Sequence, residues 1–165
     1  MRQSRILNTR EIKGILETLN RQWGADSKKK FSQYVVLLSS KDRLYLLSRD
    51  FAKLDDKKLR IDSAGLYFGE IMENREIRLS IEGSQLIGPL AEKNVAELDD
   101  GETKLWLSGA DLEKDVKAEG FVILKNRNIT TGKYDFLGCG KYKLDETKKG
   151  KILNYVPKSR RITSF

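Results

Sequence analysis

The chain has 165 residues, 39% hydrophobic and 34% charged, with two prolines. That composition suits one ordinary domain, or two small ones sharing an interface, and excludes a disordered or collagen-like chain. One cysteine and no histidine exclude a disulfide framework, a cysteine-based zinc site and any Ser-His or Cys-His nucleophile. No apolar run reaches the ~18–20 residues of a membrane span, and polar residues break up Met1–Asn8 before a signal-peptide core forms. A cytoplasmic protein with no membrane partner is expected.

Asn8 and Glu11 have the spacing of a capping box. Behind them Ile12, Ile15, Leu16, Leu19 and Trp23 recur at helical spacing, and Gly24 supplies a stop. Lys28-Lys29-Lys30 reads as a solvated connector. Tyr34–Leu38 and Leu44–Leu47 form a predicted hairpin around Ser39–Arg43. Ser48-Arg49-Asp50 caps a predicted short helix through Phe51 and Leu54. Leu66–Ile71 and Ile77–Ile81 read as a second strand pair, the latter with Ile77, Leu79 and Ile81 on a buried face and Arg78 and Ser80 on a wet one. A short helix over Glu82–Ile87 precedes Gly88-Pro89, the predicted boundary between an α/β domain at 1–90 and a second domain at 91–165.

In the second domain Val95–Leu98 precedes an expected turn at Asp99-Asp100-Gly101, and Leu105-Trp106-Leu107 reads as a strand or a helix end. Phe121–Leu124 is a buried strand, Phe136–Tyr142 a glycine-interrupted one, and Ile152–Val156 a last strand closed by Pro157. Short strands at close spacing indicate a small β-barrel and an α+β chain overall. The acidic groups Asp99/Asp100/Glu102 and Asp55/Asp56 sit in turn-like contexts and are read as solvated.

Charge carries the functional signal. Residues 1–119 hold 21 basic and 21 acidic side chains, whereas residues 120–165 hold 11 basic and 3 acidic, which is the whole net charge of +8. Such asymmetry marks a polyanion-binding face, against the alternative of a solubilising basic tail. Lys148 to Arg161 contains six cations and no anion. Beyond Pro157, Lys158, Arg160 and Arg161 should reach solvent and contact phosphate. Asn154 is a candidate for a base edge, and Tyr155 is either a stacking platform or a core aromatic. Gly138-Cys139-Gly140-Lys141 is neither a dinucleotide fingerprint nor a P-loop, since Lys143 and Tyr142 occupy the positions those motifs need for Gly and Ser/Thr. Its glycines permit a bend or the close approach of another backbone. Cys139 reads as a small core residue.

From roughly Lys93 to Ile162 the pattern Trp106-Leu107-x-Gly109-x-Asp111-Leu112, Gly120–Lys125, Gly138-x-Gly140-Lys141 and Ile152-x-Asn154-Tyr155-Val156-Pro157-Lys158-x-Arg160-Arg161 resembles a PUA-type RNA-binding domain. It is most similar to the PUA-like domain of Sun-type ribosomal RNA cytosine-5 methyltransferases, and the two-domain layout is similar to ribosome-assembly factors of the Nip type. The resemblance implies a pseudo-barrel that binds structured RNA, ribosomal or transfer, without catalysis, cofactor or metal. The RNA-binding candidates are Lys125, Lys141, Lys151, Asn154, Lys158, Arg160 and Arg161. The alternative function is an accessory subunit that recruits a separate RNA methyltransferase through the first domain; the expected protein partner is an RNA methyltransferase or a ribosome-assembly protein.

Overall fold

A computed structural model describes residues 4–53 and 65–165. In the first half the order is β1 (Ser4–Ile6), α1 (Thr9–Trp23), α2 (Lys28–Phe31), β2 (Tyr34–Ser39), β3 (Arg43–Ser48), α3 (Arg49–Ala52), β4 (Leu66–Ile71), β5 (Ile77–Leu79) and α4 (Ile81–Ile87), with one turn of 3-10 helix at Gly88–Leu90. The five strands make an antiparallel meander in chain order. The predicted capping box forms at the start of α1: Glu11 N–H donates to Asn8 Oδ1 and Asn8 N–H to Glu11 Oε2, both at 2.9 Å. Gly24 ends the helix in the left-handed region at φ 63°, a conformation that costs glycine little. Ser48 caps α3 as expected. Leu54 and the pair Asp55/Asp56 lie outside the described residues.

The second half runs β6 (Val95–Glu97), α5 (Asp100–Leu107), β7 (Leu112–Glu113), β8 (Gly120–Arg127), β9 (Tyr134–Leu144), β10 (Gly150–Leu153) and a 3-10 turn at Lys158–Arg160. Its sheet has the order β6-β8-β9-β10-β7, with β6 parallel to β8 and the other pairs antiparallel. The expected barrel is therefore corrected to an open sheet, because the ladder ends on β6 and β7 and no pairing joins them among the described residues. Helix α5 connects those two edges. Its fully buried Trp106 fills the concave side together with Leu98, Leu112, Val122, Leu124 and Ile152, and the indole N–H donates to Leu137 O at 2.8 Å. The expected turn at Asp99–Gly101 is instead the start of α5, where Asp99 and Glu102 form a second capping box. The last strand stops at Leu153 rather than Val156, because Asn154 turns the chain away by the bonds described below.

The boundary at Gly88-Pro89 separates the two sheets but not the core. Phe121, Ile123 and Cys139 belong to the cluster built on Leu19, Trp23, Phe68 and Ile77, while Val122 and Leu124 belong to the cluster around Trp106. Strand β8 is thus buried on both faces, which accounts for its unbroken apolar run. Gly88 packs directly under the Phe136 ring of β9, leaving no room for a Cβ.

Gln22 fastens α1 to β5 within the first half, and Asn94 carries the tie across to the second. Gln22, at the end of α1, donates from Nε2 to Ile77 O (3.0 Å) and accepts from Ile77 N–H (2.7 Å), acting as one more strand partner for β5. Asn94 donates to Gln22 O and accepts from Glu119 N–H, while its own carbonyl accepts from Ile123 N–H at 2.9 Å. Replacing Gln22 with Leu keeps the volume but leaves the buried Ile77 N–H and C=O without their partners. The expected cost is about 2–4 kcal/mol, read as a lowered midpoint in denaturant unfolding.

Candidate functional site

The register of the second sheet collects its lysines. Lys141 on β9 lies opposite Phe121 on β8 and Leu153 on β10, and Lys143 lies opposite Lys151. Directly opposed residues share a face, so Lys141, Lys143 and Lys151 stand on the face whose other end, at Ile123 and Cys139, is covered by the first half. Among the described residues no carboxylate pairs with Lys141, Lys143 or Lys158, whereas Lys151 sits 3.7 Å from Asp111. Asp145, in the turn joining β9 to β10, is directed into that turn. It accepts from the Thr147 hydroxyl (2.6 Å) and from Thr147 and Lys149 N–H, and these bonds hold its carboxyl below the usual range.

An aromatic row borders the lysines. Lys141 Nζ lies 5.5 Å from the Phe121 ring centre, Phe121 and Tyr155 are 6.4 Å apart, and Arg78 of β5 stands over Tyr155 at 4.6 Å. Tyr155 is 37% exposed, so it combines a packed edge with an open one. From Tyr155 the surface dips into a cleft of about 560 Å³ between β3–β5 and the chain end, lined by Arg43, Tyr67, Arg78, Gly138, Tyr155 and Arg160 among others. Burial pushes the Tyr67 phenol up, helped by the charge of Glu70, so it keeps its proton at neutral pH.

The predicted residues are not one cluster. Lys125 sits four positions along β8 from Phe121, ~13 Å at strand rise, and its ammonium lies 3.9 Å from the centre of the Tyr134 ring. Lys158 is exposed on the 3-10 turn. Arg160 on the same turn is ion-paired with Glu82 at the start of α4. Arg161 donates from Nε to Val156 O at 3.1 Å and packs across Gly109, whose φ of +95° and lack of a Cβ make room for it. Both arginines hold the chain end in place.

Asn154 has an internal role in place of the expected base contact. Its Nδ2 donates to Trp106 O (2.8 Å) and Ala110 O (2.9 Å), and its Oδ1 accepts from Val156 N–H at 2.7 Å. Both amide hydrogens are engaged, which fixes the Gly109-Ala110-Asp111 loop against the chain end. The G-x-G-K strand is also internal: a Cβ at Gly140 would strike Ile152 and the Leu153 carbonyl, so the close approach its glycines allow is that of β10. Burial pushes the Cys139 thiol up to about 12, consistent with a core residue.

Lys143, Arg78, Arg43 and Tyr67 were not among the sequence candidates. Alternation along β5 already puts Arg78 on the wet face, but only the β3–β4–β5 pairing brings Arg43, Tyr67 and Arg78 together, and local patterns do not report it. Among the described residues no three His, Cys, Asp or Glu side chains gather as metal ligands, and no helix is long and apolar enough to cross a membrane.

Residues 4–81, just under half of the chain, match the family described as NIP7/UPF0113, pre-PUA domain. No curated protein matches the chain. The first half is thus similar to that pre-PUA domain.

Asn154→Ala removes three internal bonds and takes their partner from the Ala110 carbonyl and the Val156 N–H, while Trp106 O keeps the Gly109 N–H. A loss of about 2–3 kcal/mol is expected, measured by denaturant unfolding; an unchanged midpoint would contradict the internal role.

Proposed function

We propose that this protein is a non-catalytic RNA-binding factor of the Nip type, acting in ribosome assembly, whose second half is a PUA-like domain that holds structured ribosomal or transfer RNA. The observation that carries the reading is the open face bearing Lys141, Lys143 and Lys151, of which Lys141 and Lys143 have no carboxylate partner among the described residues, with Lys158 equally unpaired and exposed on the C-terminal turn. Phosphates spaced along an RNA backbone neutralise such a row and release counterions, so affinity comes from charge and orientation from shape. The match of residues 4–81 to a domain described as preceding a PUA domain supports this assignment of the second half. We also propose a cytoplasmic location.

The test uses the full chain, because the core crosses between its halves. Fluorescence anisotropy with structured ribosomal and transfer RNA fragments, titrated across salt, should give a linear fall of log K with log salt. Replacing Lys141, Lys143 and Lys158 together with Ala should flatten that slope by roughly two to three, the worth of three phosphate contacts. Arg160 and Arg161 stay in place because they anchor the chain end. No binding at low salt would end the RNA reading and turn attention to a protein partner of the first half.

A further inference from the structure

We propose that the cleft between β3–β5 and the C-terminal turn receives one unstacked nucleotide of the bound RNA, its base against Tyr67 or Tyr155 and its phosphate on Arg43. This deepens the RNA reading and rests on it.

The first observation is the composition of the cleft. It is lined by two Arg–Tyr pairs: Arg43 with Tyr67 (5.9 Å) from the first sheet, and Arg78 with Tyr155 (4.6 Å) across the two halves. Tyrosine faces and guanidinium planes are the surfaces on which splayed-out bases stack, and every base offers such a face. A volume of about 560 Å³ falls in the range of small-ligand sites, with space for a nucleotide.

The second observation is the charge state of the lining. Arg78 is paired with Glu70 at 3.1 Å and Arg160 with Glu82. Among the described residues Arg43 has no carboxylate partner, and its buried Nε has no hydrogen-bond acceptor. An unmet buried donor costs stability, and a guanidinium on the cleft wall with no ion pair among the described residues suits a phosphate, which its terminal nitrogens would hold. Glu70 stands opposite Arg43 in the register but pairs with Arg78, so among the described residues Arg43 is the lining arginine without an ion pair.

The third observation is continuity. Tyr155 and Lys141 both stand against the buried Phe121 ring, at 6.4 and 5.5 Å from its centre, so an RNA strand held on the lysine face begins close to the cleft mouth. A fully paired helix buries its bases in the stack and has none to offer. The cleft therefore selects RNA with a bulge or loop at that distance.

The experiment compares two RNA hairpins of equal charge, one fully paired in its stem and one carrying a single bulged 5-iodouridine. With the intact protein, the bulged hairpin should bind about tenfold more tightly, and ultraviolet crosslinking should place the adduct on Tyr67 or Tyr155. Arg43→Gln and Tyr67→Leu should each remove most of that tenfold preference while leaving paired-stem affinity within twofold. Far-ultraviolet circular dichroism confirms that each variant is folded, and Arg43→Gln, which keeps an unbranched polar side chain and removes the charge, carries the test should Tyr67→Leu fail to fold. Equal affinity for both hairpins, or adducts elsewhere, overturns the cleft proposal. In that case a slope still reduced by the Lys141/Lys143/Lys158 substitution leaves the RNA reading standing, whereas loss of all salt-dependent binding removes both. Uridine monophosphate alone binding as tightly as the bulged RNA, in the same cleft, would assign it to a free nucleotide and also overturn the proposal.

Discussion

Strand β8 belongs to two cores at once, and the rest of the molecule is arranged around that constraint. Its odd positions, Phe121 and Ile123, complete the interior of the first half, and its even positions, Val122 and Leu124, complete the interior around Trp106. Burying such side chains stabilises by about 1.5–3 kcal/mol each, so separating the halves would expose several at once. Gln22 and Asn94 add directional bonds to this apolar contact, tying the end of α1 to β5 and to β8. The surface crossing the junction is consequently built on a single rigid support.

That rigidity gives the charge distribution its meaning. A basic tail on a flexible tether would attract any polyanion without orienting it. Here Arg160 on Glu82 and Arg161 across Gly109 fasten the chain end to both halves, and Asn154 fixes the loop beneath it. Part of the positive charge thus maintains the scaffold. Other cations, Lys141, Lys143 and Lys158 among them, have no carboxylate partner among the described residues. Division of labour between neighbouring cations in one motif separates phosphate contact from anchoring.

Features that depend on near neighbours were legible in the sequence. The Asn8/Glu11 box, the stop at Gly24, the hairpin of β2 and β3, and the buried run of β8 all follow from spacing within a few residues. The same rule applied at Asp99 and Glu102 announces α5; that pair reads as a solvated turn only when Gly101 is given more weight than the three-residue spacing. Features set by distant partners were not legible. The two-sided burial of β8 hides in a run that a one-sided core strand would also show. The occupation of Asn154 by Trp106 and Ala110 carbonyls depends on a loop more than 40 residues earlier. An open sheet and a closed barrel share the same list of short strands, and the difference lies in α5 filling the gap between two short edges. Arg43, Tyr67 and Arg78 come from three strands that meet only after pairing.

The most direct test of a shared core uses the two tryptophans, since Trp23 is buried in one cluster and Trp106 in the other, both fully enclosed. In Trp23→Phe and Trp106→Phe variants, each remaining indole reports one half during urea unfolding, compared with far-ultraviolet circular dichroism of the same sample. A core that spans the junction predicts that indole emission and circular dichroism give one coincident transition in both variants. Separate midpoints for the indole and the backbone signal, in either variant, would show halves that unfold independently and would contradict the account.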